Sequence, residues 1–304
     1  MSAAVRTIGL TLGDAAGIGP EIIAAALSSG RLDKSFAYRV IGSADGARPG
    51  EPNEATARAA RAALEESVRL ALSGEIAAVV TGPIHKARMQ AIGFEFPGQT
   101  EFFAQRANEE NFAMCLTGGA LTVALVTAHI PLRAVAESLS SSEIIRIGLL
   151  LADFLRRRLG RPPRLAVAGL NPHAGESGAL GREEIEIIEP AVALLRGELS
   201  DTAICTGPIS PDTVFHRAAG GEFDGVLCMY HDQGLIPLKL HAFDSGVNVT
   251  LGLPFPRTSP DHGTAFEIAG KGIARADSMI AAIHLAAELA LAQGKPRMNA
   301  HELE

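Results

Sequence analysis

Three histidines each follow a short apolar run. The run LTVALVTAH leads to His129, RLAVAGLNPH leads to His173, and DGVLCMYH leads to His231. If these runs are strands of an open α/β sheet, the three imidazoles lie beyond the carboxyl ends of the strands, where such sheets bind ligands. Neutral imidazoles are good ligands for a divalent metal that keeps an open position for a substrate. The pattern therefore predicts a three-histidine metal site, although any one of these residues alone is more typical of a hydrogen-bonded turn.

Carboxylates and cationic groups also follow short apolar runs. Asp232 is adjacent to His231, where it can ligate a metal or orient the imidazole, and Asp212 follows another apolar run. Later segments supply an amine, an amide and a guanidinium on Lys239, Asn248 and Arg257. Near a metal, these groups suit an anionic substrate that carries a carboxylate or a phosphate. Ordinary polar loop residues would give the same spacing, so both interpretations stay open at this point.

Short apolar runs alternate with longer segments of helical spacing along the whole chain. The predicted strands are Arg6–Leu12, Tyr38–Ile41, Ile76–Thr81, Leu121–Thr127, Arg164–Ala168, Thr202–Thr206, Gly225–Met229 and Val247–Leu251. The predicted helices are Ala55–Leu72, Ser142–Arg158 with Ser142 as N-cap, Arg182–Leu195 with a break at Pro190, and Asp277–Gln293 with Asp277 as N-cap and Gly294 after it. This alternation predicts an α/β fold with a mainly parallel sheet.

A glycine-rich segment, Thr11–Ile22, follows the first predicted strand and precedes a helix. Its glycines, Gly13, Gly17 and Gly19, do not have the G-x-G-x-x-G spacing of the dinucleotide-binding fingerprint. A tight strand-to-helix turn in which Pro20 opens the helix explains the segment equally well. The sequence therefore gives only weak support for a Rossmann domain.

Length and composition exclude several classes of protein. A chain of 304 residues is long enough for about two domains, and 47% hydrophobic residues supply a sizeable core. The net charge of −7 without a basic stripe argues against a nucleic-acid partner. We expect no signal peptide and no membrane span, because the N-terminal apolar run is short and none approaches about 18 residues. Cys115, Cys205 and Cys228 form no CxxC pair, which favours buried thiols in the cytoplasm.

Eight segments match a known family along essentially the whole chain: LGDAAGIGPEI, VVTGPIHK, GQTEFF, VALVTAHIPL, GLNPHAGE, GPISPDT, MYHDQGLIPLK and GVNVTLGLPFPRTSPDHGTAFEIAGKG. With them the chain resembles the 4-hydroxythreonine-4-phosphate dehydrogenase family of pyridoxal phosphate biosynthesis. The resemblance implies a two-lobed α/β/α fold like that of isocitrate and isopropylmalate dehydrogenases, not a Rossmann domain. The lobes would be residues 1–120 plus 250–304 and residues 121–249. It also implies a homodimer with the active site at the subunit interface.

The same resemblance assigns site residues by motif. The metal ligands of the family fall on His129, His173 and His231, in agreement with the argument from strand ends. The substrate-binding positions fall on Gln99, Thr100, Lys239, Asn248 and Arg257. Asp212, Asp232 and Lys239 are candidates for the general base, and the sequence does not choose among them. The ion would be divalent: zinc, magnesium, cobalt, nickel or manganese.

The segment His262–Ala274 resembles the cofactor loop of isopropylmalate dehydrogenases. This second resemblance assigns cofactor contacts to His262, Gly263, Thr264, Ala265, Glu267 and Ile268. In that wider group, an acidic residue followed by Ile accompanies NAD, whereas a Lys-Tyr pair accompanies NADP. Because a carboxylate accepts a hydrogen bond from the ribose 2′-hydroxyl and repels a 2′-phosphate, Glu267 predicts NAD as the cofactor.

The reaction implied by the resemblance is a metal-dependent, NAD-linked oxidation with decarboxylation of a phosphorylated 3-hydroxy acid. The expected substrate is 4-phosphohydroxy-L-threonine and the product is 3-amino-2-oxopropyl phosphate. One position departs from the family, since Gln99 stands where a histidine usually contacts the phosphate end and a glutamine carries no charge. The alternatives are 4-phospho-D-threonate or 4-phospho-D-erythronate, an aromatic diacid cis-dihydrodiol, or a non-catalytic metabolite-binding role.

Overall fold

The computed structural model describes residues 5–292. The strands of this part are β1 (Arg6–Thr11), β2 (Phe36–Ile41), β3 (Ala78–Thr81), β4 (Ala113–Gly118), β5 (Leu121–Leu125), β6 (Arg164–Ala168), β7 (Ile204–Ile209), β8 (Gly225–Cys228), β9 (Val247–Leu251) and β10 (Arg257–Pro260). The α-helices are α1 (Gly19–Ser28), α2 (Glu54–Leu72), α3 (Lys86–Ala91), α4 (Gln99–Arg106), α5 (Val135–Ser138), α6 (Ser141–Leu159), α7 (Glu189–Glu198), α8 (Pro211–Ala219), α9 (His231–Ala242) and α10 (Asp277–Ala292). The predicted α/β class is confirmed.

Two compact units make up the described residues. The first unit contains residues 5–110 and 247–291, and the second contains residues 111–246 and Ala292. The lobe boundaries expected from the family resemblance stay a prediction. No helix between residues 5 and 292 is long and apolar enough to cross a membrane.

The first unit is built on strands in the order β2-β1-β3-β10-β9. Neighbouring strands are parallel except for β9 and β10, which are antiparallel. The turn between β1 and α1 comes so close to its neighbours that glycine is required: a Cβ on Gly19 would lie 1.9 Å from the carbonyl oxygen of Leu12. Pro20 opens α1, as the sequence predicts.

The second unit is built on strands in the order β4-β5-β8-β6-β7. The strands β5, β8, β6 and β7 are parallel, and β4 joins β5 in an antiparallel hairpin whose turn contains Gly119 at φ 56°. Because β5, β6 and β8 run in the same direction, their carboxyl ends lie at one edge of this sheet. The segments that carry His129, His173 and His231 follow these three strands.

The eight predicted strands are present, and two further strands were missed. The hairpin strand β4 has only a short apolar run, residues 113–116, because Thr117 and Gly118 end it. The strand β10, with the sequence RTSP, is fully buried although three of its four residues are polar. An apolar-run criterion cannot detect a strand of this kind.

The predicted N-caps of two helices were wrong, although the helices begin within one residue of the predicted positions. Ser140, not Ser142, caps α6: its side chain accepts a hydrogen bond from the backbone N–H of Glu143 at 3.3 Å. Asp277 is the first residue inside α10, where its carboxylate pairs with Arg31 instead of capping the helix. The predicted last residue of this helix, Gln293, and the following Gly294 lie outside the described residues.

The break predicted at Pro190 takes the form of a change in helix type. Residues Glu184–Ile188 form a π-helical turn, and α7 continues from Glu189 with Pro190 in its first turn. A proline in a first turn removes no intrahelical hydrogen bond, so the helix tolerates it there.

All three cysteines are buried and unpaired, as predicted. Cys115 and Cys228 belong to neighbouring parts of the second unit's core, and burial raises the pKa of both thiols, that of Cys115 to about 12. Burial likewise raises the pKa of Cys205 to about 11. These thiols therefore pack as small apolar groups.

Candidate active site

His129 and His231 lie next to each other at the carboxyl edge of the second unit's sheet. The centroids of their rings are 5.4 Å apart, with the planes tilted by 43°. The exits of β5 and β8 are held together behind them, because Thr127 donates from both its backbone N–H (3.2 Å) and its Oγ1 (2.8 Å) to the carbonyl oxygen of Met229. The structure thus brings two of the three predicted histidines together.

His173 occupies an unusual backbone segment after β6. Five consecutive residues, His173 to Ser177, have φ between 44° and 81° and form a left-handed turn. Each residue other than glycine costs roughly 1–2 kcal/mol in this conformation. His173 is solvent-exposed, and among the described residues no group of three or more His, Cys, Asp or Glu is arranged to hold a metal ion.

Glu184 holds the start of that left-handed turn, and sequence reasoning did not single it out. Its side chain is 1% exposed, and Oε1 accepts hydrogen bonds from the backbone N–H groups of Leu170 (2.7 Å) and Asn171 (2.8 Å). A Cβ at Gly175 would come within 2.7 Å of Oε2 of Glu184, so the turn wraps closely around this carboxylate. In the sequence, Glu184 is only one of several carboxylates in the predicted helix Arg182–Leu195, so nothing distinguishes it there.

The acidic candidates have different surroundings. Oδ1 of Asp232 lies 2.7 Å from Nδ1 of His231, which is the arrangement by which a carboxylate fixes the tautomer of a ligating imidazole. The carboxylate of the exposed Asp212 accepts a hydrogen bond from Oγ of Ser210 at 2.6 Å. Lys239 is half-buried on α9, two turns after His231. Among the three acidic and basic candidates, Asp232 therefore contacts a predicted metal ligand, His231.

Arg257 is the centre of a polar cluster in the first unit. It is 2% exposed, and burial lowers the pKa of its guanidinium to about 10, an effect that the charge of Glu101 opposes. Its hydrogen-bond acceptors in the cluster are neutral: Oγ1 of Thr81 at 2.5 Å, Oε1 of Gln99 at 3.0 Å and Oγ1 of Thr250 at 3.4 Å. A buried cation with neutral acceptors favours the arrival of an anion.

The other predicted substrate-binding residues of the first unit border this cluster. Oγ1 of Thr100 lies 3.5 Å from Oγ1 of Thr250, and Nε2 of Gln99 donates to the carbonyl oxygen of Gly82 at 3.1 Å. Two buried polar atoms, Nε of Arg257 and Oδ1 of Asn248, have no hydrogen-bond partner among the described residues. Unsatisfied buried atoms of this kind are typical of a site that a polar ligand completes.

The predicted cofactor loop contacts the glycine-rich turn after β1. The backbone N–H of Ile18 donates to the carbonyl oxygen of Thr264 at 2.9 Å, and a Cβ on Gly17 would lie 2.6 Å from the same oxygen. Glu267 is exposed, and Ala265 has a positive φ of 43°. The glycine-rich turn therefore supports this loop, a role that its glycine spacing did not indicate.

His262 of this loop has a buried ring nitrogen that could bind a ligand. Nδ1 of His262 lies 3.0 Å from the carbonyl oxygen of Gly263, and its buried Nε2 has no partner among the described residues. The ring of Phe266 stacks on His85 at 5.7 Å. These contacts fix the loop while Glu267 stays open to solvent.

Comparison with known proteins identifies the family. A family model described as pyridoxal phosphate biosynthetic protein PdxA matches residues 20–286. The chain belongs to the PdxA family. A PdxA relative from Caulobacter vibrioides, named 4-hydroxythreonine-4-phosphate dehydrogenase, is 45% identical over 95% of this chain and 99% of the relative.

Solved structures agree with the PdxA assignment. The crystal structure of 4-hydroxythreonine-4-phosphate dehydrogenase from Klebsiella pneumoniae matches with a TM-score of 0.81 and 38% identity, over 94% of this chain and 99% of that one. Isocitrate dehydrogenase from Methylococcus capsulatus matches with a TM-score of 0.51 and 18% identity, over 95% of this chain and 88% of that one, which shows a shared fold alone. The expected family and the expected isocitrate dehydrogenase-like fold are confirmed.

Proposed function

We propose that this PdxA-family protein is a 4-hydroxythreonine-4-phosphate dehydrogenase that uses NAD and a divalent metal. The observation that carries the proposal is the pairing of His129 with His231 at the carboxyl ends of β5 and β8. The reaction converts 4-phosphohydroxy-L-threonine and NAD to 3-amino-2-oxopropyl phosphate, CO2 and NADH. The secondary alcohol gives a hydride to NAD and a proton to a base, and the β-keto acid then loses CO2 and takes up a proton.

The donor chemistry of the second unit fits a divalent metal. His129, His173 and His231 would hold the ion, and Asp232 would orient the His231 ring through Nδ1. Such an ion supplies Lewis acidity toward an alcohol oxygen and stabilises developing negative charge. The proton of the alcohol needs an acceptor on the protein, for which Asp232, Asp212 and Lys239 are the candidates.

Residues of the first unit would bind the anionic and nucleotide parts. Arg257 would donate to the phosphate of the substrate, with Thr100 and Asn248 as neutral hydrogen-bonding groups beside it. The loop from His262 to Ile268 would contact NAD, and the exposed carboxylate of Glu267 would accept from the ribose 2′-hydroxyl. NAD is therefore the proposed cofactor in preference to NADP.

A homodimer with the active site at the subunit interface is part of the proposal. One face of α9 and its end exposes three large apolar side chains: Ile236 (65%), Leu240 (89%) and Phe243 (76%). The spacing of four and three residues puts them on the same side of the helix. An apolar stripe on the helix that begins at His231 supports a second copy of the chain as its cover.

The contacts of Gln99 do not distinguish the threonine substrate from a second class of phosphorylated hydroxy acid. Both polar ends of its amide are already engaged, with Gly82 and with Arg257. 4-Phospho-D-threonate and 4-phospho-D-erythronate carry the same phosphate end as 4-phosphohydroxy-L-threonine and have a hydroxyl in place of its amine, so they suit this position equally well.

The test is a turnover assay that follows NADH formation with each phosphorylated hydroxy acid, together with metal analysis. His129→Ala, His173→Ala and His231→Ala should abolish turnover and lose the bound metal while the far-UV circular dichroism stays unchanged. His216→Ala, which changes an exposed histidine on α8 of the same unit, should keep both. Unchanged metal content in the three site variants would overturn the metal assignment, and lack of turnover by the wild type with all these substrates would overturn the activity.

A further inference from the structure

Regular strand pairing ends before it reaches the three histidine segments. The last paired residues are Leu125 with Cys228 between β5 and β8, and Val167 with Leu227 between β6 and β8. His231 and His173 therefore lie beyond the backbone ladders. Their separation depends on whatever connects the strand exits past that point.

Gln233 provides that connection between β6 and β8. It lies in the first turn of α9 and is 6% exposed. Its Oε1 accepts a hydrogen bond from the backbone N–H of Met229 at 2.7 Å, and its Nε2 donates to the carbonyl oxygen of Gly169 at 2.7 Å. One buried side chain thus bridges the two strand exits. Met229 precedes His231 by two residues, and Gly169 precedes His173 by four.

The bridge continues on both sides. At Met229, the carbonyl oxygen accepts from Oγ1 of Thr127, which connects the exit of β5. Next to Gly169, the backbone N–H groups of Leu170 and Asn171 donate to Glu184. The three strand exits therefore form one hydrogen-bonded chain with Gln233 at its centre.

We propose that Gln233 is a positioning residue that fixes the two backbone segments that carry His173 and His231, two of the proposed ligands of a divalent cation. The inference rests on the metal centre of the proposed function. A primary amide of this length accepts at one end and donates at the other. Glutamate keeps the acceptor for Met229 but places a carboxylate against the carbonyl oxygen of Gly169, and methionine of similar shape keeps neither bond.

The experiment compares Gln233→Met and Gln233→Glu with a control that also changes a buried polar contact. The control is Thr122→Val: Thr122 is buried at the start of β5, at the opposite end of the same sheet, and bonds to Oγ1 of Thr117 at 2.9 Å. All variants are prepared as the full chain. Hydrogen exchange is measured without metal, and Co²⁺ and Zn²⁺ affinity, the Co²⁺ absorption spectrum and the melting temperature are measured on the same samples.

Gln233→Met should speed amide exchange in residues 169–177 and 229–231, whereas Gln233→Glu should do so mainly in residues 169–177. Both should weaken Co²⁺ and Zn²⁺ binding by about 10- to 100-fold, as is usual when a group that orients metal ligands is lost. Both should also alter the Co²⁺ spectrum. Thr122→Val should lower the melting temperature without these changes.

Two results would overturn the inference, and they can be told apart. If the Gln233 variants lose melting temperature but keep wild-type metal affinity and local exchange, Gln233 is a stabilising core residue only. If the wild-type chain itself binds neither Co²⁺ nor Zn²⁺, the metal centre of the proposed function is wrong, and the inference falls with it.

Discussion

The guanidinium of Arg257 donates through Nη2 to the amide oxygen of Gln99 at 3.0 Å. The amide nitrogen of the same Gln99 donates to the carbonyl oxygen of Gly82 at 3.1 Å. Position 99 therefore orients the buried guanidinium but adds no charge of its own. The electrostatic attraction for an anion in this cluster comes from Arg257.

Replacing Arg257 with methionine should remove that attraction. Because the wild-type guanidinium is buried against neutral acceptors, inorganic phosphate should raise the melting temperature of the wild type but not of Arg257→Met. A charged hydrogen bond contributes roughly 1.5–3 kcal/mol, so kcat/KM for the phosphorylated substrate should fall at least about tenfold. Equal stabilisation of both proteins by phosphate would show that the anion binds elsewhere.

Gln99→His should lower KM for both 4-phosphohydroxy-L-threonine and 4-phospho-D-erythronate, because the two substrates carry the same phosphate end. An imidazolium would add a charged hydrogen bond worth about tenfold or more in binding. The gain should be larger at pH 6 than at pH 8, because the imidazole must be protonated to carry charge. Gln105→His, on the exposed side of α4, is the control. A wild type that already turns over the threonine compound efficiently, with no effect of Gln99→His, would contradict the interpretation.

The double substitution Glu267→Lys with Ile268→Tyr should shift cofactor preference from NAD toward NADP. The exposed carboxylate of Glu267 repels a 2′-phosphate, whereas a lysine attracts it. Steady-state kinetics give kcat/KM with NAD and with NADP, and the ratio of the NAD value to the NADP value should fall by about tenfold or more. Glu198→Lys, an exposed charge reversal in the second unit, should leave the ratio unchanged. A wild type that prefers NADP would refute the assignment of this loop.

Leu240→Glu should weaken the proposed homodimer. This side chain is 89% exposed on α9, and a charge there would have to be desolvated in an apolar interface. Sedimentation velocity should show a smaller species, and activity should fall with it if the site needs both chains, as proposed. Leu72→Glu, which is 51% exposed at the end of α2, is the matched control. If the wild type is a fully active monomer, the dimer proposal is wrong.

Asp224→Asn should destabilise the fold in a pH-dependent way. Burial alone would raise the pKa of Asp224, but hydrogen bonds from Arg161 and Arg164 outweigh it and hold the pKa far below the usual value. A carboxylate with a depressed folded-state pKa contributes stability above its unfolded pKa of about 4, and this contribution is lost as the pH falls. Urea unfolding should show a loss of about 1–3 kcal/mol at pH 7 that shrinks toward pH 3. A constant difference across this range would contradict the account.

Sequence patterns located the strands that lead to the histidines. The strands β5, β6 and β8 are almost entirely buried, and their sequences are therefore mostly apolar. The same patterns could not locate β10. Its buried Arg257 and Thr258 are stabilised by hydrogen bonds to residues far along the chain, such as that from Thr258 to Ala282. A reading of a few neighbouring residues assigns such a polar segment to a loop, because the residues that satisfy its polar atoms are distant in the sequence.

The supporting residues of the site were missed for a related reason. Glu184 and Gln233 have ordinary identities for a helix, and their roles depend on which backbone atoms they reach across the sheet edge. The left-handed turn at His173 was equally invisible, since only one of its five residues is glycine. Metal ligands can be inferred from residue type, whereas the groups that orient them become apparent only from three-dimensional contacts.

The burial of the cysteines has a practical consequence for biophysical work. The thiolate is the form that reacts with alkylating probes, and the raised pKa values of Cys115 and Cys205, about 12 and 11, leave almost none of it near neutral pH. Cys228 is shielded in the same way. The natural chain is therefore ready for site-specific labelling: one cysteine introduced at an exposed position can carry a fluorophore or a spin label without replacement of any native residue.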